Sequence, residues 1–193
     1  RTLFNTMREF GLNVSEADMH GWRGRNKHEV LHQCYDAEHI DNDVSVLDPI
    51  DDHAYRKFKL CQVFDTNLHE AYFADDSPLA LMDEGLPDVF DKLRTNGTRV
   101  ALNTGYPVHL QKAILEKLDL DKMVDAYVSS EEVTRGRPYP YMIHHLMAQF
   151  SIASGDEVIK VGDSTNDILE GLHAGCIVSA GVLTGAEDAD TLR

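Results

Sequence analysis

The stretch DEVIKVGDSTNDILEGLHAG, residues 156–175, joins a short apolar run to a helical pattern. The run ends in Gly162 and Asp163, and Asp167 follows four residues later, in the first turn of the predicted helix. Two carboxylates at this spacing across a strand-to-helix turn can converge on one hard cation such as Mg²⁺, which prefers oxygen ligands. Both aspartates can equally cap the helix, because acidic residues favour its N-terminus. The stretch therefore predicts strand, turn and helix, with either a metal site or a cap at the turn.

The same alternation continues on both sides of this stretch. Apolar runs followed by turns or helical patterns occur at 98–105 (TRVALNTG), 125–130 (DAYVSS), 156–163 and 176–183 (CIVSAGVL). Strands that alternate with helices predict βαβ units and a parallel sheet, and so the α/β class. Functional loops of such sheets follow the carboxyl ends of the strands. We therefore expect the polar segments NTGYP, SSEEVTRGRP and VGDSTND to share one edge of the sheet.

Two of these loops carry groups that suit a phosphate. Thr104 offers a hydroxyl and Gly105 a backbone N–H ahead of a helix, which predicts a place for a phosphate oxygen, with an ordinary turn as the alternative. Arg137 lies between Gly136 and Pro138, which stiffen its position. A fixed guanidinium suits an oxyanion, with a solvated loop arginine as the alternative. The occurrence of all three loops on one predicted edge favours a combined phosphate and metal site.

The amino-terminal part has a helical rather than an alternating strand and helix pattern. Residues 1–84 contain few β-branched runs, and apolar residues recur at helical spacing within 3–10, 30–35 and 55–73,. Polar connectors are predicted at 41–52 and 74–88. The long apolar stripe over 55–73 permits a homodimer through this part of the chain without requiring one.

Composition excludes several classes of protein. With 33 acidic and 18 basic residues the net charge is −15, which argues against a nucleic-acid partner,. No apolar run is long enough for a membrane helix. Three cysteines without a CxxC pair predict free thiols in a reducing compartment, so we expect a cytoplasmic protein, or an organellar one if a targeting segment precedes these residues,. An anion site in so acidic a chain needs a metal ion or local donors.

The segment HEVLH spells H-E-x-x-H with His28, Glu29 and His32, the pattern of zinc proteases,. The residues that follow supply no recognisable third ligand motif. The sequence therefore favours ordinary helix residues here, with a zinc protease as a minor alternative.

The order strand-Thr, loop-G-R-P, strand-G-D-x-x-x-D resembles the haloacid dehalogenase-like (HAD) hydrolase superfamily. GRPYPYMI (136–143), VGDSTNDILEGLHAG (161–175) and GVLTGAEDADTLR (181–193) are most similar to its phosphonoacetaldehyde hydrolase (phosphonatase) branch. The resemblance implies a Rossmann-like parallel-sheet core at 85–193 and an inserted α-helical cap at 1–84, whose first residues lead from a core strand upstream. It also implies Mg²⁺ and an aspartate that attacks phosphorus.

The resemblance also implies roles for individual residues. Thr104 would bind the transferring phosphoryl group, Arg137 would pair with the nucleophile and the phosphate, and Asp163 and Asp167 would hold Mg²⁺. Phosphonatases carry a cap lysine in a G-x-x-K setting that forms a Schiff base with the substrate aldehyde, and Lys27 matches this spacing. Contact with a leaving group, as in related phosphatases, and a solvated lysine at a helix start are the alternatives for Lys27.

One departure from the family pattern is large. The motif D-x-[DA]-G-T, which carries the nucleophilic aspartate, does not occur in residues 1–193, and VFDTNL (63–68) lacks the glycine and falls in a predicted helix. We expect the nucleophile to be encoded upstream, in a Mg²⁺-dependent hydrolase of a small phosphorylated or phosphonylated metabolite that forms an aspartyl-phosphate. A homologue that has lost catalysis and serves as a structural or binding subunit is the alternative.

Overall fold

The computed structural model describes residues 1–39, 52–77, 79–185 and 187–192. The connector predicted at 41–52 lies, except for its last residue, outside the described residues. The chain divides into two compact units. Unit 1 comprises Arg1–Trp22 and Lys27–Leu79, and unit 2 comprises Arg23–Asn26 and Ala80–Arg193. The four residues Arg23–Asn26 therefore belong with the carboxyl-terminal unit, although the sequence prediction assigns them to the cap.

Unit 1 is helical in its described part. Its helices are α1 (Thr2–Glu9), α2 (Glu16–Gly21), α3 (Lys27–His39) and α4 (Asp52–Phe73). Helix α4 packs against α1 and α3, and Met7, Leu31 and Phe64 from these three helices are almost fully buried. The apolar stripe of α4 is buried only in part, because Tyr55 and Phe58 near its start are exposed. None of the described helices has the length and apolar character needed to cross a bilayer.

Unit 2 alternates strands with helices. Its elements are α5 (Leu86–Thr95), β1 (Ala101–Thr104), α6 (Val108–Lys117), α7 (Leu120–Met123), β2 (Ala126–Ser129), α8 (Tyr141–Gln149), β3 (Ile159–Gly162), α9 (Thr165–His173) and β4 (Val178–Gly181), with 3₁₀ turns at Ser130–Glu132 and Gly155–Glu157. Each strand falls inside one of the four runs named from the sequence. The predicted α/β class is confirmed.

The strands pair in parallel, as predicted, but in two separate sheets. β1 pairs with β2 from Ala101↔Ala126 to Thr104↔Ser129, and β3 pairs with β4 from Ile159↔Val178 to Gly162↔Gly181. Within the described residues, β1 and β3 therefore each pair along one edge only.

One face of β3, in the sheet that β3 forms with β4, exposes apolar side chains. Ile159 and Val161 of β3 are 63% and 56% exposed, whereas parallel strands are normally covered on both faces,. The described part of the chain therefore leaves both an edge and a face of β3 open.

The other end of the first sheet is held by one carboxylate. Asp125 accepts hydrogen bonds from the Val100 N–H at 2.9 Å, from Arg99 at 3.2 Å and from Arg94 at 3.3 Å. The hydrogen bond from Val100 is the largest cause of a lowered pKa of Asp125; burial opposes it, and the two arginines add to it. Asp125 thus ties β1 to β2 at the amino ends of the strands, opposite the predicted site.

Candidate active site

The loops that follow β1, β2 and β3 meet on the short segment Arg23–Asn26, which belongs to the same unit. Asn166, at the start of α9 after β3, donates from Nδ2 to the backbone oxygen of Arg23 at 2.7 Å. Arg137, in the loop after β2, donates from Nη1 to the backbone oxygen of Gly24 at 3.3 Å. Two of the three predicted loops therefore contact successive residues of one segment.

The loop after β1 reaches the same segment through Gly105. A Cβ added to Gly105 would lie 2.3 Å from the backbone oxygen of Arg25, so only glycine allows this approach. Gly24 is restricted as well, because its φ is +72° and an added Cβ would lie 2.6 Å from the Ser164 hydroxyl,. The carboxyl ends of β1, β2 and β3 therefore lie at one edge, as the sequence predicts.

Thr104 is the last residue of β1 and lies opposite Ser129 in the parallel pair. Its Oγ1 accepts a hydrogen bond from the Tyr106 N–H at 3.2 Å, so the ordinary turn expected as the alternative is present. A hydroxyl that accepts through oxygen keeps its own hydrogen for donation. The turn and the predicted phosphate role of Thr104 are therefore compatible.

Arg137 is not a solvated loop arginine, since it is only 8% exposed. Its Nε donates to Glu170 at 3.1 Å, and its Nη2 donates to the backbone oxygen and Oδ1 of Asn103 at 2.7 and 2.9 Å. Its Nη1 lies 3.1 Å from Asp167 and also donates to Gly24. These contacts engage all three guanidinium nitrogens, so a phosphate oxygen has to displace one of these partners to bind Arg137.

Asp167 lies inside this network and is 4% exposed. Its Oδ1 is 3.1 Å from Arg137 and 3.0 Å from Lys160, and its Oδ2 accepts from the Ser164 hydroxyl at 2.6 Å. Burial by itself would raise the pKa of Asp167, but the charges of Arg137 and Lys160 and the Ser164 hydrogen bond outweigh it and lower the pKa. Ser164 caps α9 and accepts from the Asp167 N–H, so Asp167 takes part in the predicted cap.

Asp163 has different surroundings from Asp167. It directly follows β3 and is exposed, and an added Cβ on Gly185 would lie 2.2 Å from its Oδ2. In the part of the chain that the structure describes, no three His, Cys, Asp or Glu side chains are grouped closely enough to hold a metal ion. Mg²⁺ is commonly held by one or two carboxylates completed by water and substrate phosphate. The donors present fit such a site, with Asp163 as the more accessible ligand.

Two residues of this network were missed by the sequence analysis. Lys160 of β3 is 7% exposed and Glu170 of α9 is 0% exposed. Their side chains are 2.9 Å apart. The available signal was a lysine inside the apolar run VIKVG and a glutamate among the apolar residues of DILEGL. A charged residue in such a position requires buried partners of opposite charge.

Lys27 belongs to unit 1, where it is the first residue of α3. Its Nζ donates to the backbone oxygen of Trp22 at 3.0 Å. The predicted helix start is therefore present, while the predicted substrate role of Lys27 stays a prediction.

The HEVLH segment lies in α3, and its two histidines contact different residues of α4. His28 Nε2 is 2.8 Å from Asp65 Oδ1, and His32 Nε2 is 3.3 Å from Cys61 Sγ. Burial is the largest cause of a lowered pKa of His32, and the charge of Lys57 adds to it. The two contacts are separate side-chain pairs between helices, which favours the structural interpretation over a zinc protease.

Known proteins resemble this chain in sequence and in fold. A family model described as haloacid dehalogenase-like hydrolase matches residues 11–175. The chain belongs to this family. Among solved structures of the same fold, the haloacid dehalogenase-like chain is similar to a phosphonoacetaldehyde hydrolase-like protein from Oleispira antarctica. The TM-score is 0.67 with 21% identity, over 98% of this chain and 71% of the other. It is also similar to a predicted phosphoglycolate phosphatase from Haemophilus somnus, with a TM-score of 0.65 and 20% identity over 95% and 77% of the two chains.

Curated relatives of the haloacid dehalogenase-like chain include two phosphonoacetaldehyde hydrolases. The one from Parabacteroides distasonis is 32% identical over 124 residues, which are 64% of this chain and 47% of the relative. The one from Lactiplantibacillus plantarum is 28% identical over 182 residues, or 91% of this chain and 65% of the relative. The matches thus span about half to two thirds of the length of these relatives.

Proposed function

We propose that this chain is part of a Mg²⁺-dependent hydrolase that acts on a small phosphorylated or phosphonylated metabolite. The observation that carries the proposal is the meeting of three loops at one edge, where they bear Thr104, Arg137 and Asp163. A hydroxyl, a fixed guanidinium and a carboxylate that can hold a metal ion are the groups that stabilise a transferring phosphoryl group. They also supply the local donors that an anion needs in a chain of net charge −15,.

The proposed nucleophile is an aspartate on a strand outside these residues. The described edges of β1 and β3 that face away from β2 and β4 are unpaired. Side chains from the two strands meet across them, with Lys160 Nζ 2.8 Å from Asn103 Oδ1. A parallel strand paired with both edges would end near Thr104 and Asp163. This arrangement supports an aspartate at that end as the group that attacks phosphorus.

In the proposed reaction, a carboxylate oxygen bonds to phosphorus while the bond from phosphorus to the leaving group breaks, and water then hydrolyses the aspartyl-phosphate. The Thr104 hydroxyl and the Gly105 N–H hold phosphoryl oxygens. Arg137 neutralises developing charge once a phosphoryl oxygen replaces the Gly24 oxygen on Nη1. Mg²⁺, when bound, would reduce the repulsion between the carboxylate and the phosphate. Asp163 is the primary ligand in this proposal, because Asp167, the second predicted ligand, already neutralises two cations.

The test uses protein expressed from the complete gene. Release of inorganic phosphate from a panel of phosphate monoesters and phosphonates is measured with Mg²⁺, after removal of metal by EDTA, and after Mg²⁺ is restored. We expect hydrolysis that EDTA abolishes and Mg²⁺ restores. A complete gene without D-x-[DA]-G-T, together with no hydrolysis, would instead establish the non-catalytic homologue.

The relatives support a phosphorylated or phosphonylated substrate but do not distinguish between the two. The named relatives include phosphonoacetaldehyde hydrolases and a predicted phosphoglycolate phosphatase, so both phosphonates and phosphate esters occur among them. The two reactions differ in the bond that breaks, carbon to phosphorus in one and oxygen to phosphorus in the other. Cleavage of carbon from phosphorus needs an electron sink, which a Schiff base supplies.

Lys27 is the residue proposed to supply that Schiff base. Borohydride added with phosphonoacetaldehyde should reduce the imine and leave a covalent adduct on Lys27, detected by peptide mass spectrometry. Lys27→Arg keeps the positive charge but cannot form the imine, and should give no adduct. An active enzyme that hydrolyses phosphate esters and forms no adduct would be a phosphatase.

Assembly and location are part of the same proposal. Tyr55 and Phe58 are exposed on α4, which supports a homodimer through the cap, and light scattering of the full protein would detect it. A cytoplasmic location, or an organellar one, stays a prediction that microscopy of a tagged full-length protein would test.

A further inference from the structure

Glu170 is a fully buried carboxylate to which the proposed reaction assigns no role. Its oxygens accept from Arg137 Nε at 3.1 Å, from Lys160 Nζ at 2.9 Å and from Asn103 Nδ2 at 2.9 Å. A buried carboxylate is costly unless it is paired and hydrogen-bonded. The partners come from β1, from the loop after β2 and from β3, so Glu170 joins the three segments that carry the candidate site.

Glu170 and Asn103 together determine how the Arg137 guanidinium is oriented. The group is planar, so fixing Nε and Nη2 fixes the direction of Nη1. Glu170 holds Nε, and Asn103 holds Nη2 through two oxygens. Nη1 is left facing Gly24 at 3.3 Å, the longest of these contacts, and Asp167 at 3.1 Å. Nη1 is therefore the nitrogen best suited to exchange a partner for a phosphoryl oxygen.

Lys160 balances the charge of this arrangement. Its Nζ lies 2.9 Å from Glu170, 3.0 Å from Asp167 and 2.8 Å from Asn103 Oδ1, so its three donors are all engaged. With Arg137, the buried cluster holds two cations and two carboxylates. Removing one charge from it leaves an uncompensated charge in the interior, whereas removing one of each sign does not.

We propose that Glu170 is a positioning residue that orients Arg137 toward the loops after β1 and β3, with Lys160 as the cation that balances it. The inference rests on the proposed function, in which Arg137 binds the phosphoryl group. Glu170 acts through Arg137 and does not itself touch the substrate.

The first test is a double-mutant cycle in the full-length protein, with p-nitrophenyl phosphate and Mg²⁺ as the probe. Glu170→Gln should lower kcat about 10- to 100-fold, the range expected for a displacement of about 1 Å in a catalytic group. In an Arg137→Ala background the same change should have little further effect, because the two residues act as one unit. Full additivity of the two losses, or an unchanged kcat in Glu170→Gln, would overturn the proposal.

A second variant separates positioning from folding. Glu170→Gln combined with Lys160→Met removes one charge of each sign and should recover much of the thermal stability that Glu170→Gln loses. Because Arg137 Nε still lacks its carboxylate, kcat should stay low. Recovery of kcat in step with stability would mean that Glu170 has only a structural role. Asp125→Asn is the matched control, since it removes a half-buried carboxylate that has two arginine partners at the opposite end of the strands.

A third measurement does not depend on activity. The ¹⁵N–¹H signal of Arg137 Nε, assigned by its loss in Arg137→Lys, should exchange slowly with water, then shift and exchange faster in Glu170→Gln. It should be unchanged in Asp125→Asn. A wild-type protein without hydrolysis would refute the proposed function alone, whereas an Arg137 signal unaffected by Glu170→Gln would refute the positioning role alone.

Discussion

Asp163 and Asp167 occur in one motif, yet their surroundings predict different effects of substitution by asparagine. Asp167→Asn should lower stability, and Asp163→Asn should abolish metal-dependent activity. Asp163 is exposed after β3, while Asp167 is 4% exposed and contacts Arg137 and Lys160. Asn replaces either aspartate with almost no change in volume, so the comparison isolates the charge.

The expected losses of stability follow from these contacts. Asp167→Asn leaves two buried cations with one carboxylate, and breaking a buried ion pair costs about 3–5 kcal/mol. For a chain of this size, 1 kcal/mol corresponds to about 2–4 °C in Tm, so the melting temperature should fall by about 6–20 °C. Asp163→Asn changes an exposed group and should alter the free energy of unfolding by less than about 0.5 kcal/mol.

The effect of Asp163→Asn should appear in activity rather than in stability. If Asp163 holds Mg²⁺, Asp163→Asn should abolish metal-dependent phosphate release in a protein that melts like the wild type. The assays are thermal unfolding by circular dichroism and phosphate release as Mg²⁺ is varied. Unchanged Mg²⁺ dependence in Asp163→Asn would refute the metal assignment. Equal melting temperatures of the two variants would refute the charge balance assigned to the buried cluster.

Two further predictions concern the frame of the site. Asp125→Asn should cost about 1–2 kcal/mol at neutral pH, because the Val100 N–H loses a charged acceptor,. Since the pKa of Asp125 is lowered in the folded chain, this difference should persist above about pH 4 and disappear as the pH falls through the folded pKa; a difference that grows in acid would contradict it,. Gly105→Ala should lower stability by about 1–3 kcal/mol, because its Cβ meets the Arg25 backbone oxygen,. Gly21→Ala, where an added Cβ meets nothing within 4 Å, is the control, and equal melting temperatures would contradict the close approach.

The strands were predictable because each is a short apolar run bounded by turn residues, as in VIKVG. The meeting of the loops was predictable because parallel strands place their carboxyl ends together. The assignment of Arg23–Asn26 to unit 2 was not predictable from the sequence, because a segment between helical patterns carries no periodicity that reveals its contacts. The exposure of Tyr55 and Phe58 was not predictable either, since helical spacing identifies the apolar face of α4 but not how far a partner helix extends along it.

The ion pairs of the buried cluster could not be predicted from the sequence. Lys160 and Glu170 each interrupt an apolar pattern, which signals a buried charge, but residues ten apart on a strand and a helix show no sign of being partners. Asp167 illustrates the same limit, because one spacing suits a cap, a metal ligand and an ion pair. The contacts to Arg137 and Lys160 show that Asp167 is part of an ion-pair network, which the spacing alone does not indicate.

The edges of β1 and β3 that the described residues leave unpaired have a consequence for handling the protein. Unpaired strand edges beside apolar side chains such as Ile159 and Val161 are templates for pairing with other molecules,. We therefore expect residues 1–193, expressed by themselves, to self-associate. Gel filtration would show this as a low monomeric fraction that falls further as the protein concentration rises.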